Sequence, residues 1–294
     1  MKVSKKILAI MLALVCAISV IAVGTPTEVY AAKTYTLIKG EVMALTDYSN
    51  VKSVKSSNSK VVAIKKDEDN SKNFIISAKK TGTANLTIKT EYGTKKYAVK
   101  VVPNDIVVEV KTISTPGNIV YKVTNNTGVT FDSLKVSYTL KDSDGDKLVS
   151  DTFNISDLPS KSSAFKEVYY SSYRYTPSVK KCSGKADLKN STRNPFGKVY
   201  TNRANKLTVE VTDKVTDDGV EFKVKYKSSY SDSMYADADI ILYDSDDHII
   251  GIKNTSAYLS GKEVSTDTYT VYLYKVEYDH FKVVTRAYSY EFDY

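Results

Sequence analysis

The sequence predicts an all-β fold built from antiparallel β-sandwiches. Segments that alternate apolar with charged or hydroxyl-bearing residues, as a strand with one buried face requires, span residues 86–88, 97–101, 134–140, 207–211 and 220–226. Val, Ile, Thr and Tyr, which fit a pleated sheet, dominate these segments. Short turn-forming clusters separate them, and no helical apolar stripe occurs after residue 32. Many short strands punctuated in this way are typical of sandwiches rather than of a parallel α/β sheet.

The N-terminus has the three parts of a secretory signal peptide, which we predict at residues 1–31. Lys2, Lys5 and Lys6 form a basic region, and residues 7–23 are a run of 17 residues without a charge. Short side chains then precede a cleavage-like site after Ala31. A retained membrane anchor is the alternative, but the run is shorter than the roughly 20 residues that span a bilayer. We therefore expect an exported protein without a membrane span after cleavage of the signal.

Charge and cysteine content narrow the class of protein. The formal net charge is +8, but both signs are interspersed and no block of like charge occurs, which argues against nucleic acid as a partner. Only Cys182 would remain after cleavage of the signal, so no disulfide can form within the mature chain. Stability must then come from the sandwich cores. An exported protein that avoids cysteine in this way suggests a Gram-positive bacterium as its source.

Residues 33–103 carry the most specific pattern in the chain. Ser56-Ser57-Asn58 precedes Val61 and Ala63, and a segment with the pattern A-x-x-x-G-T-A-x-L-T-I follows at residues 78–88. This stretch resembles the bacterial Ig-like group 2 (Big2) family. The resemblance implies an Ig-like sandwich and a role in cell-surface association and adhesion. The family frequently has a tryptophan before the serine-asparagine turn, whereas this chain has none and places Val54 near that position.

The chemistry of these residues also explains how the pattern could form a turn between two strands. Ser57 and Asn58 can form a turn through side-chain-to-backbone hydrogen bonds, after which Val61 and Ala63 can enter the core. Gly82 can supply the turn geometry that leads into the next strand.

An internal repeat occupies the remainder of the chain. Residues 120–123 match 221–224, residues 140–148 match 242–250, and residues 158–161 match 259–262, in the same order and at nearly the same spacing. We therefore predict two copies of one β-sandwich, at residues 104–200 and 205–294, with the linker at residues 189–205. The Leu242-Tyr243-Asp244 hairpin resembles FxLYD-type Ig-like modules of exported bacterial proteins.

Two acidic turns, at residues 142–146 and 244–247, raise the question of calcium binding. Carboxylates at alternate positions suit a hard cation, but an EF-type loop starting at Asp142 would need glycine at Lys147 and a bidentate carboxylate at Phe153. The simpler interpretation is a hairpin turn shaped by Asp and Gly. We predict a turn at both places. The open alternative is a calcium ion bound jointly by such a turn and by residues of another loop.

Tyrosine is in excess, with 24 residues. Tyrosine rings can stack on sugars and their hydroxyls can bind hydroxyl-rich ligands, but alternating tyrosines also fill sandwich cores and cross-strand positions. The sequence-predicted ligand surface is Tyr169, Tyr170, Tyr173 and Tyr175, where the consecutive Tyr169 and Tyr170 must face opposite sides of a strand.

No catalytic motif is present, and we expect no enzyme activity, catalytic residue, cofactor or metal site. A catalytic Cys182 would need a base, and the chain offers only His248 and His280, both within the second repeat copy. The sequence lacks a nucleophile elbow, a zinc-binding helix motif and a phosphate-binding glycine loop. A glycosidase-type carboxylate pair leaves no spacing signature, but three small sandwiches leave little room for a substrate cleft.

The leading hypothesis is an exported modular protein of the bacterial cell surface or secretome that acts in adhesion, display or spacing. We see no sorting motif or hydrophobic C-terminal tail and expect the protein to be secreted or held non-covalently at the cell wall. The expected partner is a cell-wall or extracellular glycan, or another surface protein that pairs with an edge strand. The alternative is a carbohydrate-binding accessory protein that uses the tyrosine-rich surface.

Overall fold

The described chain is almost entirely β. The computed structural model describes residues 34–45, 51–68, 73–111, 118–171, 176–193, 195–196, 198–273 and 277–292. Across these ranges the secondary structure consists of strands and one short 3-10 helix, Ala204–Lys206. The predicted all-β class is therefore confirmed. The predicted signal peptide falls outside the described residues, and no helix within them is long and apolar enough to span a membrane.

The first sandwich is formed by residues 34–102. Its strands are β1 Thr34–Ile38, β2 Val42–Leu45, β3 Val51–Ser56, β4 Val62–Lys66, β5 Phe74–Ala78, β6 Gly82–Thr90 and β7 Gly93–Val102. One sheet has the order β1-β7-β6-β3 and the other the order β2-β5-β4. In β6, Leu86 and Ile88 are buried and Asn85 is exposed, so the alternation in the sequence does place one face of this strand in the core.

One strand pair departs from the antiparallel arrangement that the sequence predicts. Strand β1 runs parallel to β7, with Thr34 opposite Ala98 and Ile38 opposite Val102. A parallel pair needs a long connection between its strands, and strands β2 to β6 supply it here. The other pairs between named strands in the described residues are antiparallel.

The serine-asparagine turn of the first sandwich forms as expected, with one difference. The Asn58 side chain accepts a hydrogen bond from the Lys60 backbone at 3.2 Å. The backbone amides of Val61 and Val62 both donate to the Asn58 carbonyl oxygen, so the chain is still turning when β4 begins. Val61 and Val62 are consequently both buried, whereas Ala63, expected in the core, is half-buried.

The second and third sandwiches share one strand plan, to which the third adds one edge strand. The second contains β8 Ile106–Lys111, β9 Asn118–Asn125, β10 Phe131–Lys141, β11 Lys147–Leu158, β12 Ser162–Tyr169 and β13 Ser183–Ala186. The third contains β14 Lys198–Asn202, β15 Leu207–Thr216, β16 Gly219–Ser228, β17 Met234–Tyr243, β18 Ile249–Leu259, β19 Val264–Tyr272 and β20 His280–Phe292. The sheet orders are β11-β10-β13 and β12-β9-β8 in the second sandwich, and β14-β20-β17-β18 and β15-β16-β19 in the third.

The repeated hairpin has the same geometry in both copies. The register shifts between Leu140 and Lys141 in the β10–β11 pair, and between Leu242 and Tyr243 in the β17–β18 pair. In each turn the first Asp amide donates to the carbonyl oxygen four residues later at 3.1 Å. The tandem sandwich architecture that the repeat predicts is therefore confirmed.

Two tyrosines account for part of the tyrosine excess by lying inside the cores. Tyr121 and Tyr226 are fully buried, in the second and third sandwiches respectively. The Tyr121 hydroxyl donates to the Ser183 carbonyl oxygen at 3.4 Å, and the Tyr226 hydroxyl shares a hydrogen bond with the Thr255 hydroxyl. Each buried hydroxyl thus keeps a polar partner, as burial of a polar group requires.

Residues 189–205, predicted as a linker, contribute to all three sandwiches. Thr192 forms a bridge with Ser133 of the second sandwich. Phe196 is buried in the core of the first sandwich, and β14 pairs with β20 of the third, so the chain enters the last sheet before residue 205. The chain from Thr34 to Tyr294 forms one compact unit.

Candidate functional site

The outer surface of the sheet β14-β20-β17-β18 carries a group of aromatic side chains that we call the aromatic face. Its members come from all four strands: Tyr200, Tyr235, Tyr258, Tyr288, Tyr290 and Phe292. Because side chains alternate along a strand, β17 sends Ala236 and Ala238 into the core and Tyr235 to the outer side. Tyr235 lies opposite both Tyr258 and Tyr288 in the register, so neighbouring strands bring these rings together.

The rings of the aromatic face are in mutual contact. The Tyr235 ring is nearly parallel to those of Tyr288 and Tyr290, with centroid separations of 5.3 and 5.7 Å. Tyr258 lies 5.1 Å from Tyr235, and Phe292 lies 5.6 Å from Tyr290. Tyr258 is 55% exposed and Phe292 58% exposed, whereas Tyr288 is buried. The aromatic face therefore consists of exposed rings that pack against buried ones.

Charged groups border the aromatic face and tie it to the second sandwich. The Lys198 ammonium lies 3.9 Å from the Tyr290 ring centroid and 2.9 Å from an Asp132 carboxylate oxygen. The Tyr200 hydroxyl donates to Asp132 and also, at 3.3 Å, to Asp157. Since both carboxylates belong to the second sandwich, this edge of the face has a fixed position relative to it.

Several side chains of this region have raised pKa values, among them Tyr235 and Asp157. A hydrogen bond with the Tyr290 hydroxyl, followed by partial burial, raises the pKa of Tyr235 to about 12. Burial raises the pKa of the Asp157 carboxyl, against the hydrogen bonds from Tyr288 and Tyr200 and the charge of Lys198. Tyr235 is protonated at neutral pH, and its hydroxyl lies 3.5 Å from the Tyr290 hydroxyl, where either group can be the donor.

A buried ion pair lies beside the aromatic face, where the third sandwich meets the second. Two guanidinium nitrogens of Arg286 donate to the two carboxylate oxygens of Asp239, which is fully buried. Arg286 also donates to the Ser163 carbonyl oxygen at 3.0 Å, and Asp239 accepts from the Phe165 amide at 2.9 Å. The amide of Asn254 donates to Asp239 at 2.7 Å. Both members of the pair thus bond to the backbone of the second sandwich.

An open cleft of about 360 Å³ adjoins this ion pair, and Asp237 is one of the groups that line it. Burial raises the pKa of Asp237 to about 6, helped by the nearby Asp239 charge and opposed by Arg286. Beyond the pair, an apolar cluster of Val120, Phe165, Ile241 and Ile249 seals the contact between the two sandwiches. The second sandwich therefore covers one end of the outer sheet surface, and the aromatic face occupies the other.

The sequence-predicted ligand surface is only partly described. Tyr169 is 69% exposed, and Tyr170 is half-buried against the core of the second sandwich, so the two rings do face opposite sides. Tyr173 and Tyr175 lie outside the described residues. Sequence reasoning did not single out the aromatic face, although its signal was the alternate spacing of Tyr288, Tyr290 and Phe292 on one strand.

The acidic turns use their first carboxylate to shape the chain. An Asp142 carboxylate oxygen accepts the amides of Asp144, Gly145 and Asp146 at 2.9 to 3.1 Å. Asp244 accepts those of Asp246 and His248 at 3.0 and 2.8 Å. Over the described ranges, no three His, Cys, Asp or Glu side chains come together as a metal-binding group. Both turns have the hydrogen-bonded geometry that the turn interpretation predicts.

Comparisons with known proteins give no family. No protein-family model matches the chain, and no curated protein matches it. The resemblances to the Big2 and FxLYD-type modules therefore stay predictions.

Solved structures align with this chain only weakly. One is the tandem CBM22-1–CBM22-2 domain of Xyn10C from Paenibacillus barcinonensis, at 8% identity over 86% of this chain and 96% of the other, with a TM-score of 0.14. Another is the C-terminal globular domain of an oligosaccharyltransferase from Pyrococcus abyssi, at 7% identity over 78% of this chain and 51% of the other, also with a TM-score of 0.14. Scores this low support no argument about function.

Proposed function

We propose that this chain is an exported, non-enzymatic array of Ig-like sandwiches at the bacterial cell surface, which holds binding surfaces at fixed positions for adhesion or display. The observation that carries the proposal is a set of buried charge contacts across both junctions between sandwiches. At the second junction these are the Arg286 and Asp239 contacts with the backbone at residues 163–165. An array that only tethered its modules would not need such contacts.

The first junction is held in a comparable way. The Arg193 guanidinium donates to both carboxylate oxygens of Glu41, at 2.9 and 3.0 Å, and Glu41 also accepts the Ile38 amide at 2.8 Å. Planar two-point pairing of this kind fixes orientation as well as distance. The three sandwiches are thus positioned by directional contacts, which suits a spacer or display role.

Cell fractionation tests this proposal directly. The full chain would be expressed in a Gram-positive host and followed in medium, wall, membrane and cytoplasm, together with the variant Leu12→Arg/Leu14→Arg, which interrupts the apolar run at residues 7–23. We expect the native chain in the wall or medium and the variant in the cytoplasm, because a charged run is a poor signal sequence. Cytoplasmic retention of both chains would refute export.

A second candidate function is carbohydrate binding, and the aromatic face is the observation that favours it. Exposed Tyr258 and Phe292 could stack on sugar rings, while the Tyr235 hydroxyl could bond to sugar hydroxyls. A group of exposed rings spread over neighbouring strands of one sheet is suited to a chain of sugars.

Pull-down on insoluble polysaccharides across a salt series tests the second candidate. Residues 32–294, the predicted mature chain, would be compared with Tyr258→Ala/Phe292→Ala and with Tyr169→Ala, which probes the surface predicted from the sequence. Tyr92→Ala is the matched control, because Tyr92 is 81% exposed at a distant turn of the first sandwich. Retention that survives high salt and is lost only in the double variant would support glycan stacking, and unchanged retention in that variant would exclude the aromatic face.

A further inference from the structure

A second concave surface lies where the first sandwich meets the second, and we call it the lysine groove. Two adjoining cavities of about 940 and 390 Å³ share Lys39, Gly40, Asn104 and Lys189 in their walls. Lys79 lines the larger cavity and Lys185 the smaller one. The groove thus collects four lysines from three separate stretches of the chain.

The positive charge of the groove is not neutralised by the chain itself. All four lysines are exposed, and none forms an ion pair with another described residue. Two carboxylates also line the groove, Glu41 and Asp187. Glu41 is already paired with Arg193, and Asp187, which accepts the Asn190 amide at 2.7 Å, can offset only one of the four lysine charges. The local balance therefore favours an anionic ligand.

We propose that the lysine groove binds a phosphate-bearing polymer. Lysine acts as a point charge that binds phosphate without demanding one geometry, whereas arginine pairs with a carboxylate or a phosphate at two fixed points. Each exposed lysine contributes little alone because water and salt screen it. A row of phosphates can engage several lysines at once, so the total affinity exceeds that of any single contact.

This inference extends the proposed function, because it names the partner that would hold the array at a surface without a covalent link. It does not depend on the aromatic face, which lies on the third sandwich. Its failure would also leave the export test untouched, since fractionation reads the location of the chain and not its affinity for a polymer.

The test uses biotinylated long-chain inorganic polyphosphate immobilised on a sensor, with residues 32–294 in solution at 0.1 M salt. The variant replaces Lys39, Lys79, Lys185 and Lys189 by Gln. The matched control replaces Lys52, Lys55, Lys214 and Lys223 by Gln, four exposed lysines outside the groove that give the same change in net charge. Equal thermal unfolding of the three proteins confirms that the replacements leave the fold intact.

We expect the groove variant to bind polyphosphate about tenfold more weakly than the native chain, and the control variant less than about threefold more weakly. Binding of the native chain should fall steeply at 1 M salt, where the Debye length is only about 3 Å. Equal losses of affinity in the two variants would overturn the proposal, because they would show that the net charge of the chain, and not the groove, determines binding. Binding to polygalacturonate as tight as to polyphosphate would overturn the assignment to phosphate.

Discussion

Arg193 and Glu41 are 152 positions apart in the sequence and form a buried ion pair. The side chains are only 8% and 4% exposed. One belongs to the segment between the second and third sandwiches, and the other to the turn after β1. The contact therefore closes the chain on itself, because a residue beyond the second sandwich returns to the first.

Replacement of Arg193 by Ala should strongly destabilise the chain. It would leave the Glu41 carboxylate buried without its cation, and loss of one partner of a buried pair costs about 3–5 kcal/mol. Urea unfolding at neutral pH measures the change. Lys227→Ala is the control, since its pair with Glu210 is at the surface, where solvent screens the charges, and should add little to stability. Equal effects of the two replacements would show that the Arg193 pair contributes no more than a surface contact.

The segment between the second and third sandwiches should also stabilise the first sandwich, through Phe196. Phe196 packs against Tyr35 and Tyr97 with centroid separations of 5.0 and 5.4 Å. Phe196→Ala should lower the free energy of unfolding by about 3–5 kcal/mol. The isolated segment 33–103 lacks Phe196, and we therefore expect it to be less stable than the same residues in the full chain. Hydrogen exchange of β1 and β7 amides gives the measurement. Phe292→Ala, at an exposed ring, should leave these amides unchanged, and full protection in the isolated segment would contradict the prediction.

These contacts mark the limit of what the sequence could predict. The strands and the repeated hairpin were predictable because alternation and turn residues are local signals, as the matching register shifts near Leu140 and Leu242 show. The parallel pairing of β1 with β7 and the pairing of Glu41 with Arg193 depend on residues far apart. No spacing rule connects such positions, because the tertiary fold and not the local sequence brings them together.

The aromatic face was missed for a related reason. In β17 the residues of both faces are largely buried from Ala238 to Leu242, so polarity does not tell which side meets solvent. Tyr235 and Tyr288 belong to strands separated by two others in the sequence, and only their register makes them neighbours. The alternate spacing of Tyr288, Tyr290 and Phe292 is visible in the sequence, but it does not show that tyrosines of three other strands join them on one surface.

Gly184 allows a test of packing in the second sandwich. A Cβ at this position would lie 2.6 Å from a Val108 methyl carbon and 2.9 Å from the Tyr121 ring, so β13 can approach the opposite sheet only without a side chain. Gly184→Ala should therefore cost about 1–3 kcal/mol through overpacking. Gly128→Ala is the control, because nothing lies within 4 Å of the place that its new methyl group would occupy. Thermal unfolding compares the two variants. An unchanged unfolding temperature for Gly184→Ala would mean that the two sheets can move apart without loss of stability.

Asp237 gives the stability of the chain a predictable dependence on pH. Burial raises its pKa from 3.8 to about 6, so between these values the folded state holds a proton that the unfolded state has released. The Asp237 carboxyl therefore adds most to the free energy of unfolding below about pH 4, and this addition is lost as the pH rises through 6. The loss is on the order of 3 kcal/mol at most.

Asp237→Asn should remove this dependence, because the amide has no charge to bury. We expect the variant to be more stable than the native chain at pH 7.5, by about 1–3 kcal/mol, and nearly equal to it at pH 4. Asp239→Asn should act in the opposite direction at pH 7.5, since it removes the charge that pairs with buried Arg286. Urea unfolding at the two pH values measures both variants. If Asp237→Asn destabilises the chain at pH 7.5, the Asp237 carboxylate must gain more from Arg286 than it loses by burial.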